Sequence, residues 1–458
     1  MARLPLTRQP ISSLAFYAAV MLLSFMVGAT TLIWKSPLTP FLAGTAVIAA
    51  IFLLHLLQRP LVAFYLALFL CLMPFKFGFD PVYDMTRNLA LALSLGSWLL
   101  HVASRRRAIA WNVTCSLIVL YMIWACITVL WAPDLIDSRQ KLVAYAMGLI
   151  LLVLTHNQIR SEREIDGMMR VFALIGWIMV IGGIYTIASV GVQFGERLKV
   201  LDVNENMFGT MLILMLPGVI WPALRKAERF HGFYMQLSII YILCTIVLIA
   251  LSGSRGSAIS LVLVLVAFWF WKPLRPWGLV GIGVFAVMLI SAPFVLGTLL
   301  SRFESGEGGD LGGRLNMWQA SILLIQDHPW SGAGVGNGPE QLNWYVQSLG
   351  SFQDPKRILP SHNPFLEAGV ETGVPGIAIY TAVLASALWS FFRFSTRRSM
   401  RLGILAAYFP LILGTSAGYL ATWSKGGGME VNLSYFILLA LLLIPSHLSP
   451  NCSSDKEA

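Results

Sequence analysis

Apolar residues arrive in blocks along this chain of 458 residues. Segments of roughly 17 to 25 residues, nearly free of charge, recur from end to end, and at about 1.5 Å of rise per residue a helix of that length crosses a hydrocarbon core of about 30 Å. About 14 such segments are readable, near residues 12–34, 39–58, 61–75, 88–104, 111–131, 141–156, 168–190, 206–223, 232–251, 256–271, 277–298, 364–392, 402–421 and 431–446. Two of them, 61–75 and 256–271, are short enough to be tilted, broken or partly interfacial, so the expected number is about 12 to 14. Inside lipid, backbone N–H and C=O groups must pair within their own segment. The expected fold class is therefore all-α: a polytopic integral membrane helix bundle, with one large connection outside it.

Composition agrees: 57% of residues are hydrophobic and only 12% charged, against about a quarter charged in soluble domains. The first apolar stretch is too long for the core of a signal peptide and runs into Trp34-Lys35 rather than a small-residue cleavage site, so it is expected to be a true span. The five cysteines, at 71, 115, 126, 244 and 452, lack CxxC spacing and suggest neither a disulfide framework nor a zinc site.

The net charge of +10 raises the question of a polyanionic partner, and its distribution answers it. With the N-terminus cytoplasmic, alternate connections carry Arg3 and Arg8, Arg59, Arg105-Arg106-Arg107, Arg160 with Arg163 and Arg170, Arg225 with Lys226 and Arg229, Lys272 with Arg275, and Arg393 with Arg397, Arg398 and Arg401. On this arrangement 19 of the 32 basic but only 6 of the 22 acidic residues face inward. That is the positive-inside pattern, a signal of topology rather than of nucleic-acid binding. An even number of spans puts both termini in the cytoplasm. The long connection, residues 299–363, then faces outward, and loops of that length are usually functional.

The outward connections gather the polar residues that carry chemistry. Glu196-Arg197-Leu-Lys199 precedes Asn204-Glu205-Asn206 at the start of a span. Leu251-Ser-Gly-Ser-Arg255-Gly-Ser257 is a tight turn in which Ser252 or Ser254 can cap the next helix, and Arg255 adds a full charge beside the positive end of its dipole. Such a turn is an anion seat, or else Arg255 reaches to phospholipid head groups. In RLNMWQASILLI, residues 314–325, the residues Leu315, Trp318, Ile322 and Ile325 share one helical face. An amphipathic helix on the membrane surface fits and would hold Arg314 at the head-group boundary, while an ordinary loop helix would leave it solvated. The G-x-G-x-G at 332–336 follows no strand, so it is read as a flexible turn rather than a phosphate loop.

The passage SHNPFLEAGVETGVPG, residues 361–376, is the most compact of these. Ser361 or Asn363 is placed to cap a helix starting at Pro364, and Gly373-Val-Pro375-Gly376 should kink or break it. His362 suits a general base for a hydroxyl group, or equally a packed, hydrogen-bonded imidazole. Glu367 and Glu371, four apart on one face, can orient His362 or a substrate, or simply complement the helix start.

Taken together, several arginines and a histidine at the rim of a membrane bundle suit group transfer from a lipid-linked pyrophosphate. Guanidinium forks match phosphate oxygens and stabilise charge on a departing pyrophosphate, while a neutral histidine removes the acceptor proton. No DxD-type metal site is visible in the outward loops, and no cofactor is called for.

Over about residues 190–380 the chain resembles the O-antigen ligase and Wzy polymerase superfamily of bacterial envelope glycosyltransferases. The resemblance rests on Arg197 with Asn204 and Asn206, on LSGSRG around Arg255, on GGRLNMW around Arg314 followed by HPWSGAGVGN, and on SHNPFLEAGVETGVPG around His362. It implies a GT-C-type, metal-independent, inverting transferase of the bacterial inner membrane, its active site facing the periplasm. Its donor would be a glycan on undecaprenyl pyrophosphate, and its acceptor a hydroxyl of lipid A-core (ligase) or a growing glycan (polymerase). The resemblance casts Arg255 and Arg314 as pyrophosphate-binding and catalytic, Arg197 as a further donor-site residue, His362 as the base, and Glu367 and Glu371 as orienting residues. On this reading residues 1–190 are a transmembrane scaffold and lipid groove, 191–446 the catalytic region with the loop 299–363, and 447–458 a cytoplasmic tail. A transporter or lipid flippase is the different-class alternative, but it would place ionisable residues near mid-membrane and show repeated halves, and no repeat is found. The partners expected are membrane lipids, donor and acceptor, with no nucleic acid; the motifs leave oligomeric state, glycan structure and linkage open.

Overall fold

The computed structural model describes residues 53–75, 80–105, 108–191, 197–201, 203–225, 230–291, 314–349, 360–395, 405–423 and 433–446. Every regular element among them is a helix: α1 (Pro60–Leu72), α2 (Asp80–Arg105), α3 (Val113–Thr128), α4 (Leu135–Gln158), α5 (Glu162–Val190), α6 (Glu205–Leu224), α7 (His231–Ser252), α8 (Arg255–Phe270), α9 (Arg275–Ser291), α10 (Arg314–Asp327), α11 (Gly338–Ser348), α12 (Pro364–Ser395), α13 (Leu405–Trp423) and α14 (Ser434–Leu443). A 3-10 turn, Val129–Trp131, extends α3.

Among the described residues seven helices are long and apolar enough to cross a membrane: α3 with its 3-10 turn, α4, α5, α6, α7, α12 and α13. Four apolar helices, α1, α8, α9 and α14, are shorter. The protein is thus an all-α, multi-pass membrane protein. The expected span at 12–34, most of that at 39–58, the loop residues 299–313 and 350–359, and the tail 447–458 lie outside the described residues.

The helices start where short polar side chains can satisfy their first N–H groups. Asn112 accepts from the Cys115 N–H at 2.9 Å, Asp134 from those of Ile136 and Asp137 at 2.6 and 3.2 Å, and Ser161 from that of Glu164 at 3.4 Å. Each cap offsets the cost of stripping water from a backbone donor at a helix end.

Two compact units are distinguishable, Met1–Phe64 with Ala92–Arg107, and Tyr65–Leu91 with Ala108–Ala458. In the first, the Ser97 hydroxyl lies 3.0 and 2.9 Å from the carbonyls of Leu56 and Leu57. The second holds every candidate site residue. There α6 packs on α5, α7, α8 and α13, while α12 packs on α3, α10 and α14. Between the two groups lies a buried aromatic cluster: the ring of Trp423 stacks on Tyr435 at 4.8 Å, Tyr435 on Tyr380 at 5.9 Å, and Phe365 stands edge-on to Trp423 at 5.6 Å. Such rings fill large volumes with defined geometry, so the ends of α12 and α13 are tightly related.

Candidate active site

The turn between α7 and α8 is built by its sequence. Gly253 closes α7 in the left-handed region (φ 62°), which costs glycine no Cβ clash, and Ser254 caps α8, its Oγ accepting from the Ser257 N–H at 3.3 Å. Arg255 is the first residue of α8 and is half-buried. Arg197 comes to the same turn. Its Nε donates to the Ser252 carbonyl at 3.0 Å, its guanidinium lies 3.5 Å from Asn206 Oδ1 and 3.4 Å from Glu205 Oε2, and its neighbour Leu198 donates to the Leu251 carbonyl at 3.0 Å. Asn206 Oδ1 also accepts from the Ser254 hydroxyl at 2.8 Å. One carboxamide thus ties the starts of α6 and α8 to Arg197. The outcome is two guanidinium groups beside a capped helix N-terminus, where the dipole also favours an anion.

The start of α12 is equally specified. Asn363 caps it, accepting from the N–H groups of Phe365 and Leu366 at 3.0 and 3.2 Å, while Ser361 Oγ accepts from the Asn363 N–H at 3.3 Å. His362 lies between them at φ 52°, one of two non-glycine residues with positive φ among those described, and is half-buried. A left-handed histidine is uncommon, and such backbone is held only where its surroundings over-determine it. At the other end of this helical segment Gly373 (φ 70°, ψ −171°) breaks α12, where the Gly-Val-Pro-Gly run predicts a break.

The end of α13 connects the two turns. A Cβ at Gly256 would stand 3.8 Å from Thr422 Cγ2, the hydroxyls of Thr422 and Ser260 are hydrogen-bonded, and the adjacent Trp423 packs on Phe365, three residues beyond His362. Arg197, Arg255 and His362 therefore belong to one end of the bundle. Arg314 opens α10, which packs along α12, and is half-buried. The helix expected at 314–325 is present; the protein buries Met317, Ala320, Ser321 and Leu324, leaving Leu315 and Ile322 of the other apolar face exposed.

Glu367 and Glu371 meet Lys141, a residue of α4 that belongs to no motif. Lys141 Nζ lies 3.1 Å from Glu367 Oε1 and 2.5 Å from Glu371 Oε1, with all three side chains 8% exposed or less. Lys141 begins the expected span 141–156, and its charge inside an apolar helix was the available signal.

The glycine-rich passage is a docked turn rather than a flexible one. Gly332, Gly334 and Gly336 all have positive φ, and the break in α12 leaves backbone groups for the turn to bind. Ala333 and Gly334 donate to the carbonyls of Val370 and Glu371 at 2.7 and 3.0 Å, and Val374 donates to the Pro329 carbonyl at 2.8 Å. On its other side Asn337 Oδ1 accepts from the Asp134 N–H at 2.7 Å, and Ser138 donates to the Val335 carbonyl at 2.7 Å. Trp124 and Trp131 reach the same region through their indole N–H groups, to the carbonyls of Thr372 at 2.8 Å and Ser331 at 3.2 Å. A helix break usually strands polar backbone; here it is satisfied by the loop.

Among the described residues no group of three or more His, Cys, Asp or Glu side chains has a metal-holding arrangement.

Residues 240–381 match the family model described as O-antigen ligase. That stretch contains Arg255, Arg314, His362, Glu367 and Glu371, while Arg197 and Lys141 precede it. Over 307 residues the chain is 21% identical to the teichuronic acid biosynthesis protein TuaE of Bacillus subtilis (strain 168). The match covers 61% of this chain and 60% of that protein, less than two thirds of the relative's length.

Proposed function

We propose, from the match of residues 240–381 to the O-antigen ligase family model and the similarity to TuaE, that the chain is a member of the O-antigen ligase and Wzy polymerase superfamily and an inverting, metal-independent GT-C-type glycosyltransferase of the bacterial inner membrane. It moves a glycan from undecaprenyl pyrophosphate to a hydroxyl of lipid A-core at the periplasmic face, with both termini in the cytoplasm. The observation that supports this reading best is the pairing of two turns at one end of the bundle. One has Arg255 and Arg197 at a capped helix N-terminus, and the other holds His362 in left-handed backbone, with the end of α13 packed against both.

In the reaction the acceptor oxygen attacks the anomeric carbon from the face opposite the pyrophosphate, which inverts the centre. His362 takes the hydroxyl proton as the new C–O bond forms. The bond to the pyrophosphate oxygen breaks, and the charge that grows there is met by Arg255, Arg314 and the N-terminus of α8, with Arg197 beside them. The activated anomeric bond supplies the driving force, so no nucleotide enters the step.

The same superfamily carries a second reading, in which the acceptor is a growing glycan on the same carrier and the enzyme is a polymerase. Incubating the purified protein with carrier-linked glycan alone separates the two. The ligase reading expects product only after lipid A-core is added; longer carrier-linked chains without it would replace that reading with the polymerase.

A further inference from the structure

The break at Gly373 separates the first part of α12, residues 364–372, from the rest of the helix, so helix continuity does not set its orientation. His362 is joined to this short segment through the Asn363 cap, and the Glu367 N–H donates to the Asn363 carbonyl at 2.8 Å. Whatever fixes the segment against the neighbouring helices also fixes the histidine. The docked glycine turn holds its C-terminal end through the carbonyls of Val370 and Glu371. Along its length, Phe365 packs on Trp423, Val370 packs with Met317 and Leu342, and Lys141 adds the charged attachment.

The geometry points to Lys141 as a positioning residue for the proposed transfer reaction. Lys141 grips two carboxylates one turn apart, Glu367 at 3.1 Å and Glu371 at 2.5 Å, and so ties one face of the segment, at two heights, to α4. The grip is buried: Lys141 is 8% exposed and Glu371 1%. Isolated charges in an apolar bundle are costly, and their positions are correspondingly constrained by their partners. The same region of α4 also meets the glycine turn through Asp134 and Ser138, and a Cβ built on Gly338, at the start of α11, would stand 2.9 Å from Glu371 Cγ. Lys141 thus sits where α4, α11, α12 and the turn meet, in the half of the chain where no motif is legible.

This inference rests on the assignment of His362 as the base, and its test must separate the two. Steady-state kinetics over a range of donor concentrations would be run on Lys141→Arg and on the charge-neutral triple variant Lys141→Met/Glu367→Gln/Glu371→Gln, alongside His362→Ala. Hydrogen exchange of residues 361–372 would be followed in each. Lys141→Arg keeps the charge but is longer and planar, so kcat is expected to fall about tenfold with donor KM within about twofold and normal amounts in the membrane. The triple variant removes the three charges of this buried cluster together, so it is expected to fold, yet kcat falls about 100-fold and residues 361–372 exchange faster. Wild-type kcat in the triple variant would overturn the proposal and leave the triad a matter of folding. A rise in donor KM at unchanged kcat would also overturn it, making Lys141 a donor ligand. Full activity in His362→Ala would remove the base assignment instead, and the exchange of 361–372 would still report whether Lys141 holds the segment.

Discussion

His362 carries two demands that usually fall on different residues: a backbone conformation suited to glycine, and the side chain that the proposed chemistry needs. They can be separated. Glycine takes φ 52° without a Cβ clash, so His362→Gly is expected to keep the Asn363 cap and a thermal midpoint in detergent at or above that of the parent, while transfer is lost. Transfer at parental rates in this variant would assign the histidine to the turn rather than to the reaction. The cap itself was readable in the sequence, because Asn before Pro at a helix start has a local cause. The pairing of Glu367 and Glu371 with Lys141 was not readable. It joins residues 226 and 230 positions apart, and one sequence contains no signal for which distant cation two carboxylates will meet.

At the scale of elements, the apolar blocks located the helices well because length and hydropathy act locally. The face that each helix turns to its neighbours was harder to read. In α10 Leu315 and Ile322, expected on a face resting on the membrane surface, are exposed, while the face buried against the protein contains Met317, Ala320 and Leu324, which no local pattern singles out. The glycine turn was misread for a similar reason. Glycine spacing suggests freedom, but here the glycines permit close docking against α12 and α4. A Cβ on Gly336, at φ 82°, would come 2.7 Å from the Asp137 carbonyl carbon. Gly336→Ala is therefore expected to destabilise the protein by more than about 1 kcal/mol, read as a lower midpoint in detergent. Gly283→Ala in α9, where no atom lies within 4 Å of the added Cβ, should leave the midpoint unchanged or raise it slightly. Equal midpoints for the two variants would contradict the docked turn.

Across the whole molecule, the proposed machinery comes from both halves of the chain. Within residues 1–190, expected to be scaffold, the 3-10 turn after α3 and the start of α4 form one wall of the region that holds α12 and its glycine turn. The second half supplies Arg255, Arg314 and His362 within the stretch that matches the O-antigen ligase family. The starts of α8 and α12 meet the end of α13, which brings Arg255 and His362 to one end of the bundle, and Arg314 opens the helix that packs along α12. The central claim is that this end performs arginine-assisted glycan transfer from undecaprenyl pyrophosphate. It is tested most directly by reconstituting the purified protein with carrier-linked glycan and acceptor in the presence of chelator, and measuring transfer by the parent, Arg255→Ala and Arg314→Ala. The account predicts transfer by the parent despite the chelator, and a loss of about 100-fold or more in each arginine variant at unchanged membrane abundance. Undiminished transfer in both variants, or transfer by the parent that stops with chelator and returns with metal, would contradict it.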